Sequence, residues 1–470
     1  MRRNYQLAKK IRFFVSALCL STLALNVFAQ ENNDTTNVQA PWSLEDCIKY
    51  AFENNITIKQ AYLNVESSKK DLLQSKLDLL PSLNGSVSHT FGWGQVPNNQ
   101  TNRYMISSSN RDMFSISSNL DLFKSFQNIN TIKQNKAKLK SAEYNAQTME
   151  NSIALQLASA YLQILYDKAL VDNSMNQVEI SKAQVERTQK LVEAGTKARG
   201  DLLNVQSQLA SEESKLTMNQ NQLTLSRLTL QQILDLDPSD NFNIVEPDVD
   251  YTISNELLTS PYDIYKTAVA TMPEIQKAKY DLEDSKRGVS IIKGGLYPTL
   301  KASGGWGTNY ATYENEDSKP FHLQFNNNQQ EYITFTLSIP VFNGYMARTR
   351  VQQAKLQYIS SRYDLQTAEL KLRKDIEQAY TDAIAAYKNY DASKKAVEYA
   401  AENFKYNEQK FDVGLVSAYD YNYSKTQYAN AESDLISAKY TFVFKLKVLD
   451  FYLGKPLTLT QEEGETNENE

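Results

Sequence analysis

The chain switches between two hydrophobic periods in a fixed order. At Leu83, Gly85, Val87, His89, Phe91 and Trp93 the odd positions are mostly apolar, whereas Ser82, Asn84, Ser86, Ser88, Thr90 and Gly92 are small or polar. A period of two marks a β-strand with unlike faces. Three further segments repeat it: Phe114, Ile116, Leu120 and Leu122 against Ser115, Ser117, Asn119 and Asp121; Leu300, Ala302, Trp306 and Tyr310 against Lys301, Ser303, Gly307 and Asn309; and Ile333, Phe335, Leu337 and Ile339 against Tyr332, Thr334, Thr336 and Ser338. Strands are therefore predicted over about 82–93, 113–122, 299–310 and 332–341, each near the length of a tilted transmembrane β-strand. The polar stretches 95–111 and 311–331 between them are expected to be loops.

Elsewhere the period is seven. Val171, Met175, Val178, Val185 and Val192 lead to a glycine, Gly195, and Leu202, Val205, Leu209, Leu216, Leu223 and Leu230 follow it. Val397, Phe404 and Phe411 precede Gly414 in the same way, with Tyr421, Tyr428, Leu435, Phe442 and Leu449 after it. Heptads on both sides of a glycine predict antiparallel coiled-coil hairpins. A helix over 124–192 is about 100 Å long at 1.5 Å per residue, and one over 201–236 about half that. The overhang is expected to be covered by a helix over 57–80, stacked end to end with the shorter one. The second set is 345–411, 420–453 and 273–296, with Pro273 suited to a first helical turn.

These elements form a duplication. Phe123 matches Phe342, Ala160-Tyr161 matches Ala379-Tyr380, Gly195 matches Gly414, Asp201 matches Asp420 and Leu234 matches Leu453, each 219 residues apart, while Leu80-Pro81-Ser82-Leu83 matches Tyr297-Pro298-Thr299-Leu300 at 217. The first repeat covers 42–238 and the second 261–456, with a linker at 239–260 and an acidic tail, expected to be disordered, at 460–470. Each repeat is a helix-strand-strand-helix-helix unit, so the fold class is mainly α with a membrane β part.

Composition narrows the function. Residues 1–29 carry Arg2, Arg3, Lys9, Lys10 and Arg12, then an apolar run, then Val27-Phe28-Ala29, the pattern of a secretory signal peptide. Leu18 stands before Cys19 where a lipoprotein signal wants a small residue, so export without a lipid is expected. Without that leader 45 basic residues face 55 acidic ones, a net charge of −10 that argues against nucleic acid. Cys47 is then the one cysteine, His89 and His322 are the two histidines, and no HExxH, GxSxG, GxGxxG or phosphate-loop motif occurs, so no catalytic residue, metal or cofactor is assigned.

Four strands cannot close a barrel, and open edges in lipid cost several kcal/mol per unpaired group. Three copies supply twelve strands, an even number within the range of outer-membrane barrels. Two copies supply eight, whose interior side chains fill. Phe91, Trp93, Tyr104, Trp306, Tyr310 and Tyr332 are expected to form interfacial girdles.

Over nearly its whole mature length the sequence resembles the TolC-like outer-membrane efflux protein family. The resemblance is carried by Pro81 and Pro298 at helix-to-strand junctions, by Ser338-Ile339-Pro340-Val341-Phe342-Asn343-Gly344 at a strand-to-helix turn, and by the tips Glu193-Ala194-Gly195 to Asp201-Leu202 and Asp412-Val413-Gly414 to Asp420-Tyr421. It implies a homotrimer with a twelve-stranded barrel in the outer membrane and an α-helical tunnel in the periplasm of a Gram-negative type envelope. It further implies a periplasmic adaptor and an inner-membrane transporter as partners. By this resemblance Gly195 and Gly414 are adaptor-docking tips, Gly414 with little room for a side chain, and Asp201 and Asp420 ring the periplasmic aperture. For both acids a helix N-cap or first-turn role competes equally. Where relatives carry a latch of an aromatic hydroxyl and an Arg, this chain has Phe411 and Val416, and Tyr423 stands at another acidic position; Lys197 and Arg199 are candidate cations for Asp420. The reading is a passive exit duct for efflux or type I secretion, and no enzyme. The alternative is an exported periplasmic coiled-coil scaffold or tether without a pore, which leaves the four strands unexplained.

Overall fold

The structure, a computed structural model, describes residues 41–98, 103–237, 242–247, 260–314 and 317–459. The signal peptide, the acidic tail and most of the linker lie outside the described residues. Helices α1 (Leu44–Asn54) and α2 (Ile56–Leu77) lead to strands β1 (Ser82–Asn98) and β2 (Arg103–Phe123), then to α3 (Gln127–Glu193) and α4 (Arg199–Ile233). The second half supplies α5 (Pro261–Thr271), α6 (Pro273–Gly294), β3 (Thr299–Tyr313), a short α7 (Phe321–Asn327), β4 (Gln330–Ser338), α8 (Met346–Asp412) and α9 (Ala418–Tyr452). First residues of α1, α2 and β1 recur 217 positions later in α5, α6 and β3, and those of α3 and α4 recur 219 later in α8 and α9.

Local chemistry sets the breaks. Ser43 and Asp46 form a capping box at the start of α1, satisfying donors that no helical carbonyl reaches. One residue then interrupts each helix pair. Asn55 accepts from Thr57 N and Ile58 N, and Met272 precedes Pro273 with nearly the same backbone angles as Asn55. Helices α1 and α5 go beyond the sequence-based expectation.

The four strands make one antiparallel sheet in the order β1-β2-β3-β4. Register brings the four apolar rows onto one face: Val87 lies opposite Phe114, Ile116 opposite Trp306, and Ala302 opposite Phe335. The other face gathers Ser86, Ser115, Gly307, Ser303 and Thr334 through the same pairings. Apolar side chains such as Val87, Trp93, Ile333 and Leu337 are exposed to solvent in the single chain. The strands depart from expectation at their far ends. β1 and β2 continue through most of the segment expected as a loop at 95–111, because alternation persists through Tyr104 and Ile106. β3 runs to Tyr313, and α7 occupies part of the expected loop at 311–331. β4 stops at Ser338, short of 341, since Pro340 has no N–H to give a ladder. Tyr332 leaves the expected girdle: it lies opposite Gly305 on the polar face, and its ring closes over that glycine.

Helices α3 and α8 are each 67 residues, about 100 Å. Helices α2 and α4 pack along α3, and α6 and α9 along α8, while α6 also packs on α3 and so ties the two repeats together. Near the middle, Leu44, Cys47, Ile58, Leu157, Tyr161, Leu230, Leu234 and Val443 form the larger apolar core. Ile264, Met272, Ile275, Leu372, Ile376 and Leu449 form the corresponding core of the second repeat. Tyr161 fastens the first by donating to Val245 O at 2.6 Å.

The seam of the α3–α4 hairpin differs from the pure apolar heptad expected. Met175 is exposed, while Asp167, Ser174, Ser181 and Thr188 are buried at steps of seven. Their partners on α4 descend at the same step: Ser226 donates to Asp167, Asn219 to Ser174 at 2.6 Å, and Ser181 donates to Glu212. Polar rungs thus recur in three successive heptads, every second turn, of the first hairpin. The corresponding positions of the second repeat include Ala386, Ala400, Ala431 and Ala438, and its seam is instead filled by Phe404, Phe411, Tyr421 and Phe442, which are buried.

Candidate functional site at the hairpin tips

The ends of both coiled-coil hairpins lie at the far end of the long helices from the sheet. Each turns on a glycine with positive φ, +72° at Gly195 and +77° at Gly414, a backbone region that disfavours any side chain. A Cβ built on either meets nothing within 4 Å. The expected lack of room at Gly414 is therefore corrected: within the chain the constraint is the dihedral angle alone.

Asp201 and Asp420 each occupy the third residue of their helix, so neither is the N-cap residue. Asp420 closes a capping box with Ser417, accepting from Ser417 Oγ at 2.7 Å and Ser417 N at 3.3 Å. Asp201 follows Ala198, which makes no side-chain cap. Asp420 is exposed and Asp201 half-buried. Pro81 stands between α2 and β1, Pro298 between α6 and β3, and Pro340 between β4 and α8.

The tips are held together by contacts that sequence spacing does not show. Lys197 donates to Phe411 O at 3.3 Å and lies 3.3 Å from the centre of the Phe411 ring, a cation–π geometry. Burial pulls the Lys197 pKa below its ordinary value, against the opposing pull of Asp201 and Asp412. Lys197 is thus used at Phe411, where the sequence had offered it to Asp420. Arg187 reaches across from α3 to Asp412 at 2.8 Å. Behind these contacts Phe411 stacks on Tyr421 at 4.9 Å and Phe404 on Tyr428 at 5.8 Å. The Tyr421 hydroxyl is buried without a hydrogen-bond partner, and burial holds its pKa well above the usual phenol range.

One turn further from the tip, Lys425 of α9 is almost fully buried. Its ammonium donates to Ser181 Oγ, to Gln177 O at 3.3 Å and to Glu212 at 3.1 Å. Desolvation lowers its pKa and Glu212 opposes the shift. One cation therefore joins α9 to both helices of the first hairpin, at the last of the polar rungs. Val413, Leu415, Tyr419 and Tyr423 remain exposed around the second tip, an apolar patch beside a charged rim.

Among the described residues no cluster of His, Cys, Asp or Glu is arranged to hold a metal ion, and no helix is long and apolar enough to cross a membrane. The model of the outer membrane efflux protein family matches residues 47–235 and 264–455, one segment in each repeat. The chain is similar to the outer membrane protein TolC of Vibrio cholerae, 21% identical over 467 residues that cover 97% of each protein. Among solved structures it is similar in fold to the outer-membrane channel OprN, with a TM-score of 0.74 at 17% identity over 88% of this chain and 90% of that one. It is likewise similar to the outer membrane protein VceC of Vibrio cholerae, with a TM-score of 0.73 at 17% identity over 88% of this chain and 96% of that one. With the family model matched in both repeats, the chain belongs to the outer membrane efflux protein family, its sheet at the outer membrane and its helical part in the periplasm.

Proposed function

We infer that three copies close one barrel of twelve strands and one helical tunnel, which together form a passive exit duct. A single observation carries this reading. The sheet has one continuous apolar face, one small polar face, and two free edges, on β1 and β4. Such a sheet is stable in a bilayer only when the edges meet. The scaffold alternative leaves most of that face, Val87, Trp93, Ile333 and Leu337 among it, without cover.

The exposed apolar tip patch suits a periplasmic adaptor that links the duct to an inner-membrane transporter. The duct carries no nucleotide motif, so the transporter supplies the energy. Asp201 and Asp420, each present three times around the axis, line the periplasmic entrance and favour cations there. The test is single-channel recording with Asp420→Asn. The variant keeps an oxygen to accept from Ser417 and loses only a first-turn charge worth about 0.3–1 kcal/mol, so its thermal stability drops slightly, while cation preference and block by multivalent cations fall. Unchanged ion selectivity would remove Asp420 from the entrance and leave it the capping role alone.

A further inference from the structure

The lane of β4 is shorter than the lanes beside it. β4 covers β3 only from Thr299 to Gly307, so the β3 edge from Thr308 to Tyr313 has no strand on that side. Side chains from the segment before β4 close it instead. Buried Gln324 accepts from Ala311 N at 3.0 Å and donates to Ala311 O at 2.9 Å, so one amide reproduces both bonds of a paired strand residue. Asn328 donates to Asn309 O at 2.9 Å. Phe321 and Phe325 hold α7 in place, with ring centres 5.2 Å from Tyr310 and 5.5 Å from Phe114. Helix α7 thus borders the lane that the outer part of β4 leaves empty, on the side of the apolar face shared by Phe114, Trp306 and Tyr310.

Its opposite side is exposed. The helical step of about 100° per residue puts His322 and Asn326, two before and two after Gln324, about 160° around the axis from it on either side. Both are exposed. In a closed ring the next lane is β1 of a neighbouring copy. Levelling Ser338 with Ser82 at the helical end, with apolar faces kept on one side, sets Gln330 opposite about Thr90. The β1 edge from Phe91 to Asn98 then has no strand to pair with, and an unpaired edge of this kind invites stray pairing.

We propose that α7 is a two-sided edge clamp: Gln324 closes β3 of its own chain, and His322 and Asn326 close the Phe91–Asn98 edge of β1 in the neighbouring copy. The inference rests on the trimeric reading above. Its partner is a second copy of this chain, selected by the unequal lengths of the two strands that must meet at the seam. Backbone N–H and C=O groups are what His and Asn side chains can both serve, as Gln324 already does on the other side.

The experiment places the photo-cross-linking residue p-benzoylphenylalanine at Asn326 in the full chain, and in a second variant at Leu337, where β4 itself should meet the neighbour. Each product is mapped by peptide mass spectrometry. The expected result is a shift from monomer to covalent dimer in both variants, with the Asn326 product mapped to residues 91–98 and the Leu337 product near Leu83. A Leu337 dimer without an Asn326 dimer, or with the Asn326 product in another segment, overturns the clamp and leaves the shared barrel standing. Loss of both dimers overturns the shared barrel and the clamp with it.

Discussion

Gly414 separates what local geometry demands from what a partner demands. Its positive φ costs any side chain about 1–2 kcal/mol, and the open space around its Cβ direction adds no clash. Gly414→Ala and Gly414→Trp are therefore expected to lose similar stability in thermal unfolding, while only the Trp variant blocks export by crowding the docked adaptor. A far larger stability loss for Trp than for Ala would mean that the tip is crowded within the chain; normal export by the Trp variant would take the tip out of docking. The glycines and first-turn acids were legible because turn and cap chemistry is local. The Lys197–Phe411 and Lys425–Glu212 contacts were not, since their partners lie more than 200 residues apart in sequence, and a lone lysine on a helix reads as a solvated charge.

At the scale of elements, the sheet is the part most completely visible in the sequence, because a period of two survives without knowledge of neighbours. Leu337 lies opposite Leu300 on the apolar face, and Ser338 opposite Thr299 on the other. Leu337 lies one residue from the helical end of β4, where an Arg on the lipid face should cost about 0–1 kcal/mol, and Leu337→Arg should reduce the assembled protein recovered from outer membranes. Ser338→Arg should leave that recovery intact and change conductance. Equal recovery of both variants would show that the faces are reversed or that the sheet does not meet lipid. Besides α1 and α5, two features escaped the pattern. Helix α7 is a single short helix in an Asn- and Gln-rich stretch, where only Phe321 and Phe325 mark a face. The polar rungs of the first hairpin escaped because Ser, Asp and Thr at heptad steps resemble a solvated stripe until the facing stripe on α4 is placed against them.

For the whole molecule, duplication supplies two similar halves that have diverged in how they fill their seams, one with polar rungs and one with aromatic rings. Tyrosines with raised pKa in both halves have a consequence at high pH. A hydrogen bond to Glu432 pushes Tyr428 up to about 12, and burial does the same to Tyr452, against an ordinary value of 10. Burial raises Tyr161 and Tyr421 as well. Below pH 10 these phenols are protonated in both folded and unfolded chains, so they leave stability unchanged there. Above it the unfolded chain loses protons that the folded chain retains, so stability falls as pH rises from 10 toward 12. The melting temperature should drop steeply in that window, with part of the tyrosinate absorbance appearing only on unfolding. A flat profile there would mean that these rings ionise as freely when folded as when unfolded.

Closure of the sheet is the claim on which pore, tunnel and entrance all depend. It is tested most directly by the mass of the detergent-extracted particle, measured by native mass spectrometry on protein taken from the outer membrane. Three chains per particle is the expected result, since three times four strands makes the twelve-stranded ring. A particle of one chain, or of two chains with eight strands, would contradict it.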